Sequence, residues 1–189
     1  MERQWTFETL ALADNPSLGK IMSEGQSPDI EKLNGFIYCG WNHDAIGKLT
    51  GEKFKKGFWK RDGISYGYNE TVAQDGNRYL GSWKIKPSQK KPFRMGHFKV
   101  SYVKDERLQH YYKPYAHLTL FNYNVPDNKW HMSFFKVIRD FVVLPNKNDH
   151  SLLLGKAYLQ LWGKTRIACC YFILGHPEKV PHAHGHLQP

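Results

Sequence analysis

A carboxylate set among aromatic rings is the first place in this sequence where chemistry could sit. Glu70 lies in the run ISYGYNETVAQ, with Tyr66 and Tyr68 just before it, Trp59 upstream and Trp83 downstream. Side chains alternate faces along an extended chain, so Tyr66, Tyr68, Glu70 and Val72 share one face. A carboxylate in such surroundings either pairs with a cation or has its pKa raised by desolvation. Pairing makes it half of a cross-strand ion pair with Lys55; a raised pKa suits a ligand anchor or a general base. The rings Trp59, Tyr66, Tyr68, Tyr79 and Trp83 carry the same ambiguity. They are core packing, or, because buried Tyr and Trp need partners for their polar atoms, the wall of a cavity suited to a flat or amphipathic ligand.

Other chemistry is sparse. No GxSxG elbow, GxxxxGK[ST] loop or strand-linked GxGxxG occurs, which leaves no signature of a hydrolase elbow, a nucleotide loop or a dinucleotide fold. Neither HExxH nor CxxC occurs, so no metal site and no cofactor is expected. His182, His184 and His186 alternate after Pro181 and fit a flexible tail that takes up metals adventitiously. His117 lies in a strand-like run and joins the cavity if it points inward; a hydrogen-bonded core or surface histidine is the alternative. Cys39, Cys169 and Cys170 are an odd set with two adjacent members, which is not a disulfide framework and points to a reducing cytoplasm. The first residues lack the apolar core of a secretion signal, and no run reaches the roughly 20 apolar residues of a membrane span.

The formal charge is +10 and the pI about 9.4. Such a balance serves a phosphate-bearing partner, an acidic membrane surface, an anionic ligand or solubility alone. Lys56, Lys60, Lys84 and Lys86 share a face with Phe58, and a basic face with a ring can stack a base. The remaining aromatics fall on the opposite face and no RNA-binding signature occurs, which argues against nucleic acid.

The elements that must position these residues can be read in order. Residues 1–34 form a helical leader of two or three short helices, with Asn15-Pro16 and Ser27-Pro28 as capping-residue–proline starts. A strand at 35–41 follows, then two hairpins turning at Asp62-Gly63 and Asp75-Gly76, pairs that favour two-residue loops. The first loop pairs Lys55 with Glu70, Gly57 with Tyr68 and Trp59 with Tyr66, and on the other face Phe58 with Gly67, each glycine lying under a ring. The second pairs Glu70 with Gly81, Tyr68 with Trp83 and Tyr66 with Ile85. Together they put Trp59, Tyr66, Tyr68, Glu70 and Trp83 on one face, taken as buried, and the lysines on the other. Strands follow at 94–103, with Phe98 aligned with Gly96 and Val100, and at 115–123, where both faces are apolar. Residues 130–144 read as a short helix and then a strand, and 152–174 as a hairpin turning at Gly163-Lys164 and pairing Gly155 with Phe172. A tail occupies 176–189.

Some nine sequential antiparallel strands with glycine bends favour a mainly β, up-and-down barrel capped by the leader, one domain with 35–175 as the barrel. Its interior would hold side chains or one small ligand. Through Gly57-Phe58-Trp59, the helical leader and the meander from 35 to 174, the chain resembles the calycin superfamily of lipocalin-like and fatty-acid-binding-like barrels. In lipocalins the Gly-x-Trp lies on the first strand under an arginine from the last; here it falls on the second, with Arg166 a loose counterpart. The expected function is non-covalent binding of a small hydrophobic or aromatic molecule, neutral or anionic. Trp59, Tyr66, Tyr68, Trp83, Phe98 and His117 would line the cavity and Glu70 would anchor the ligand. The alternatives are a cofactor-free isomerase, cyclase or hydrolase with Glu70 as base, and an acidic-surface or nucleic-acid binder using the lysine face.

Overall fold

Asp62 and Gly63 join β2 (Lys53–Arg61) to β3 (Ile64–Thr71) with φ of 51° and 77°. Two successive positive φ values are what a type I′ turn requires, and the register is the one a two-residue loop dictates, Lys55 opposite Glu70 and Trp59 opposite Tyr66. The computed structural model describes residues 4–43, 51–106, 114–161 and 166–180. Its other strands are β1 (Phe36–Asn42), β4 (Pro87–Ser88), β5 (Lys91–Pro92), β6 (Arg94–Tyr102), β7 (Thr119–Asn122), β8 (Ile138–Val143), β9 (Leu153–Gln160) and β10 (Arg166–Lys179). Eight of them close an antiparallel barrel in the order β1-β2-β3-β6-β7-β8-β9-β10, with β10 returning to β1. Only β4 and β5 stand apart, as a two-residue ribbon, so the barrel has eight strands rather than about nine. β10 runs on to Lys179, which brings 176–179 into the sheet against β1. The His182, His184 and His186 tail and the turn at Gly163-Lys164 lie outside the described residues.

The second expected hairpin does not form. Beyond a single bridge between Val72 and Ile85, β3 pairs with β6, so that Glu70 faces Arg94 and Tyr66 faces Lys99. The cause is local. Asp75 accepts from the Asn77 and Ser82 amides and from Lys53 Nζ at 2.6 Å, and Gly76, Arg78 and Gly81 all have positive φ. These bonds coil residues 73–86 into an excursion instead of extending them. The Lys53 hydrogen bond holds the Asp75 carboxyl down to about 2.

Sidedness is inverted as well. The barrel interior is built from Phe58, Phe98, Phe121, Tyr123, Val142, Phe172 and Leu174, and the face taken for a solvent-facing lysine face points into it at Lys56. Rings lie flat on glycines here as expected, Phe172 on Gly155; Gly67 is covered by Phe98 from β6 rather than by Phe58. A β-carbon at either glycine would overlap the ring.

The leader forms α1 (Phe7–Ala11), α2 (Asn15–Glu24) and a 3₁₀ turn at Ile30–Lys32. Asp14, one residue before the expected Asn15, caps α2 by accepting from Ser17 N, and Asp29 caps the 3₁₀ turn. The helices do not plug the barrel. Phe7, Leu10, Leu18, Ile21 and Met22 pack on its outer wall against Trp41, Leu120, Phe141, Leu154 and Ile173. From the leader, Leu33 joins the interior cluster and Ile30 packs against it. That outer cover explains the doubly apolar pattern of β7, where Phe121 faces in while Leu118 and Leu120 sit under the helices. Residues 130–143 are a 3₁₀ helix, Trp130–Val137, followed by β8. No described helix is long and apolar enough to cross a membrane.

Candidate ligand-binding face

Among the described residues, the side chains that meet at the centre of the interior leave no ligand-sized space between them. A side chain bordering a water-sized void keeps accessible surface, yet Phe58, Phe98 and Phe121 are each 1% exposed or less. What fills the middle is a polar group. Lys56 Nζ, 2% exposed as a residue, lies 3.1 Å from Asp140 Oδ2 and donates to the Tyr123 hydroxyl, which itself donates to Asp140 Oδ2 at 2.9 Å. Five rings surround the ammonium, those of Phe54, Phe98, Phe121, Tyr123 and Phe172, with centroids 4.7–5.6 Å away. Burial pushes the Lys56 pKa down, and the Asp140 carboxylate opposes that shift. Burial pushes the Tyr123 phenol well up. A carboxylate and electron-rich ring faces are what a buried cation needs; here both are spent on the chain's own lysine.

Three rings of the expected wall, Trp59, Tyr66 and Tyr68, come together on the outside of the barrel, while Tyr79 packs edge-on against Trp41. Trp59 of β2 stacks on Tyr66 of β3 (centroids 5.7 Å, 25° between planes) and tilts over Tyr68 at 5.4 Å. His97 of β6 meets Trp59 edge-on at 6.1 Å. Guanidinium groups cover the two tyrosines, Arg61 at 5.2 Å from the Tyr66 centroid and Arg94 at 4.4 Å from that of Tyr68. Sheet alternation places these residues together, because 59 and 61 on β2 share the outward face with 66, 68 and 70 on β3. Trp59 and Tyr66 remain half-exposed, whereas Tyr68 is buried with its ring over Gly57.

Glu70 is 2% exposed and bound by Arg94 Nε at 3.0 Å. The cross-strand neighbour expected to pair with it, Lys55, turns the other way to Glu178, at 3.1 Å. Glu70's second oxygen, Oε2, is buried without a hydrogen-bond partner among the described residues. A carboxylate tied to a guanidinium is a structural anion that orients Arg94 over Tyr68.

Burial raises the Tyr68 phenol from 10.0 to about 12, with nearby Arg94 working against that rise, and burial likewise raises Tyr38, Tyr123 and Tyr158. A folded pKa above the unfolded value means stability is complete below the unfolded value and lost as pH climbs toward the folded one. The protein should therefore lose stability from pH 10 upward, reaching the end of the Tyr68 contribution near 12. Tyrosinate absorbance near these residues should rise only with loss of the fold, seen by circular dichroism. Ordinary tyrosine titration of all rings with the fold intact would contradict their burial.

The remaining predicted residues lie elsewhere. Phe98 is interior and fully buried, opposite Gly67 and on the other side of the sheet from Tyr66. Trp83 belongs to the excursion, where its indole N–H donates to Gly40 O at 2.9 Å and Phe7 meets it edge-on. It lines an open groove of about 470 Å³ with Lys55, His176 and Glu178. His117 lies outside the barrel, near Met22 O at 3.3 Å, in an open groove of about 620 Å³ shared with His150, Lys32 and Lys104. Arg166 stacks on Tyr115, Phe141 and Tyr158 rather than on Trp59. Sequence reasoning missed Arg94, His97 and the Lys56–Tyr123–Asp140 group. A signal for the last was present in Phe54-Lys55-Lys56-Gly57-Phe58, where Lys56 alternates with two phenylalanines. No family model, curated protein or solved structure matches this chain.

Proposed function

We propose that the protein is a non-catalytic binder of a small, flat, aromatic anion, held against the half-exposed Trp59–Tyr66 stack and beside Arg61 on the outer face of β2 and β3. One observation carries this reading: Trp59, Tyr66 and the guanidinium groups meet outside the barrel, while the interior is taken up by phenylalanines, Tyr38, Tyr123 and an internal ion pair. The ligand class is the one expected from the sequence, and its place moves from the lumen to the outer wall. An indole face offers stacking to any π system, and an exposed arginine adds charge. The pairing of successive strands supports a calycin-like, up-and-down reading of the barrel. The three free cysteines support a cytoplasmic setting. The enzyme alternative is weakened by Arg94, which already occupies the Glu70 carboxylate.

The test uses 1-anilinonaphthalene-8-sulfonate, itself a flat aromatic anion. Saturable binding is expected, weakened about tenfold or more by Trp59→Ala, the loss of one stacking partner being worth about 1–3 kcal/mol. Arg61→Ala should weaken it about two- to fivefold. Binding untouched by Trp59→Ala would sink the proposal.

A further inference from the structure

The barrel is polar from end to end in a way the ligand-binding proposal does not use. Because successive strands run antiparallel, the connections 72–93 and 123–137 leave from the same end, and so do the close of β9 and the start of β10. All the exposed large hydrophobic side chains among the described residues, except Leu12 and Ile64, belong to this end. They include Trp130 at 92% exposure, Phe134 at 63% and Phe93 at 51%, with Val137, Leu161 and Ile167 beside them in the topology. The 3₁₀ helix Trp130–Val137 makes the division sharp. Phe135 turns inward, parallel to the Tyr123 ring at 6.2 Å and over Gly96, while Phe134 and Trp130 are left in water.

Charge follows the same axis. The two connections carry seven lysines and arginines, among them Lys86, Lys91, Lys129 and Lys136, against Asp75 and Asp127, and Glu52, just before β2, adds a third carboxylate at this end; Asp75 is already paired with Lys53. At the opposite end Asp29, Glu31, Asp62, Asp105, Glu106 and Asp149 stand against Lys32, Lys104 and Lys147. An apolar tip where cations outnumber anions, with most of the anions at the far end, fits a surface that is apolar beneath and negative on top. We infer that this end of the barrel docks on an anionic lipid bilayer, with Trp130 and Phe134 entering the headgroup region and the lysines facing its phosphates. Nucleic acid would also meet the charge. Leu161, Ile167 and Val137 cannot stack on bases, however, and favour the bilayer.

Vesicles of phosphatidylcholine, with and without phosphatidylserine, test this in a sedimentation assay on the full chain. Binding is expected with phosphatidylserine, much less without it, and should fall with added salt. Lys91→Glu and Lys129→Glu should each weaken it at least about fivefold, the share of one lysine near such a surface. Trp130→Ala with Phe134→Ala should weaken it at least about tenfold. These positions are exposed, so circular dichroism should show an unchanged fold. Absence of sedimentation with phosphatidylserine vesicles would overturn the inference, and so would sedimentation unchanged in both sets of variants. Salt-sensitive binding of a single-stranded oligonucleotide that Trp130→Ala abolishes, without vesicle binding, would assign the face to nucleic acid instead. None of these outcomes depends on Trp59, so the outer-wall proposal stands or falls separately.

Discussion

Replacing Asp140 with alanine is expected to cost about 3–5 kcal/mol of folding stability, the penalty for stripping a buried ion of its partner. Lys56 would keep its five aromatic neighbours and the Tyr123 hydroxyl, but its ammonium would have no counter-charge where neither water nor a mobile anion reaches. The complementary variant separates the pair from its parts. Lys56→Met with Asp140→Leu removes both charges while keeping apolar volume, and should return to within about 1–2 kcal/mol of the wild type, because a buried pair adds little over a hydrophobic replacement. Urea denaturation of the three proteins checks both statements. A mild Asp140→Ala variant, close to the cost of a surface change, would show that water enters the barrel at this level.

Phe98→Ala is the second large effect. Phe98 is fully buried, stacks on Phe121 at 4.9 Å, meets Phe58 at 5.8 Å and lies over Gly67. Its removal should cost about 3–5 kcal/mol and leave a cavity that the closed sheet cannot collapse to fill. An apolar cavity of this kind takes up small aromatic molecules, so the variant should bind benzene or indole and be stabilised by it, whereas the wild type should not. Thermal denaturation with and without benzene reads both. Stabilisation of the wild-type protein by benzene would show that the lumen already has room.

The first hairpin was legible because two adjacent residues, Asp62 and Gly63, fix both the turn and the register on each side of it. Gly155 under Phe172 was expected from the same arithmetic on a longer hairpin, but the structure reaches that pairing through a β-bulge between Ala168 and Cys170, Gln160 facing Arg166 nearer the turn. Asp75-Gly76 has the same dipeptide and a different outcome, because its carboxylate finds Lys53 and two nearby amides. No pattern within residues 72–85 marks Lys53 as the partner. Choosing inside from outside failed for another reason. β2 carries rings on both faces, so period-two alternation could not choose between them, and lysine was read as solvent-facing. Both rings of β3 lie on the outer face, and its inner face is Ser65, Gly67 and Asn69, with Phe98 of β6 filling the space over Gly67. The discriminating feature was the kind of ring. The interior took Phe54, Phe58 and Phe98, which carry no polar atoms, and the outer wall took Trp59, Tyr66 and Tyr68. Grouping of the candidate site was thus legible across β2 and β3, while Arg94 and His97 depended on a strand pairing that the false hairpin concealed.

The central claim is that the aromatic site lies outside a filled barrel. Titration of isotopically labelled protein with 1-anilinonaphthalene-8-sulfonate, followed by nuclear magnetic resonance, puts it to the test directly. The account predicts that the Trp59 indole N–H and the amides of Arg61 and Tyr66 shift, while the interior methyl groups of Val142 and Leu174 stay in place. Shifts in those methyl groups with the Trp59 indole unmoved would contradict it.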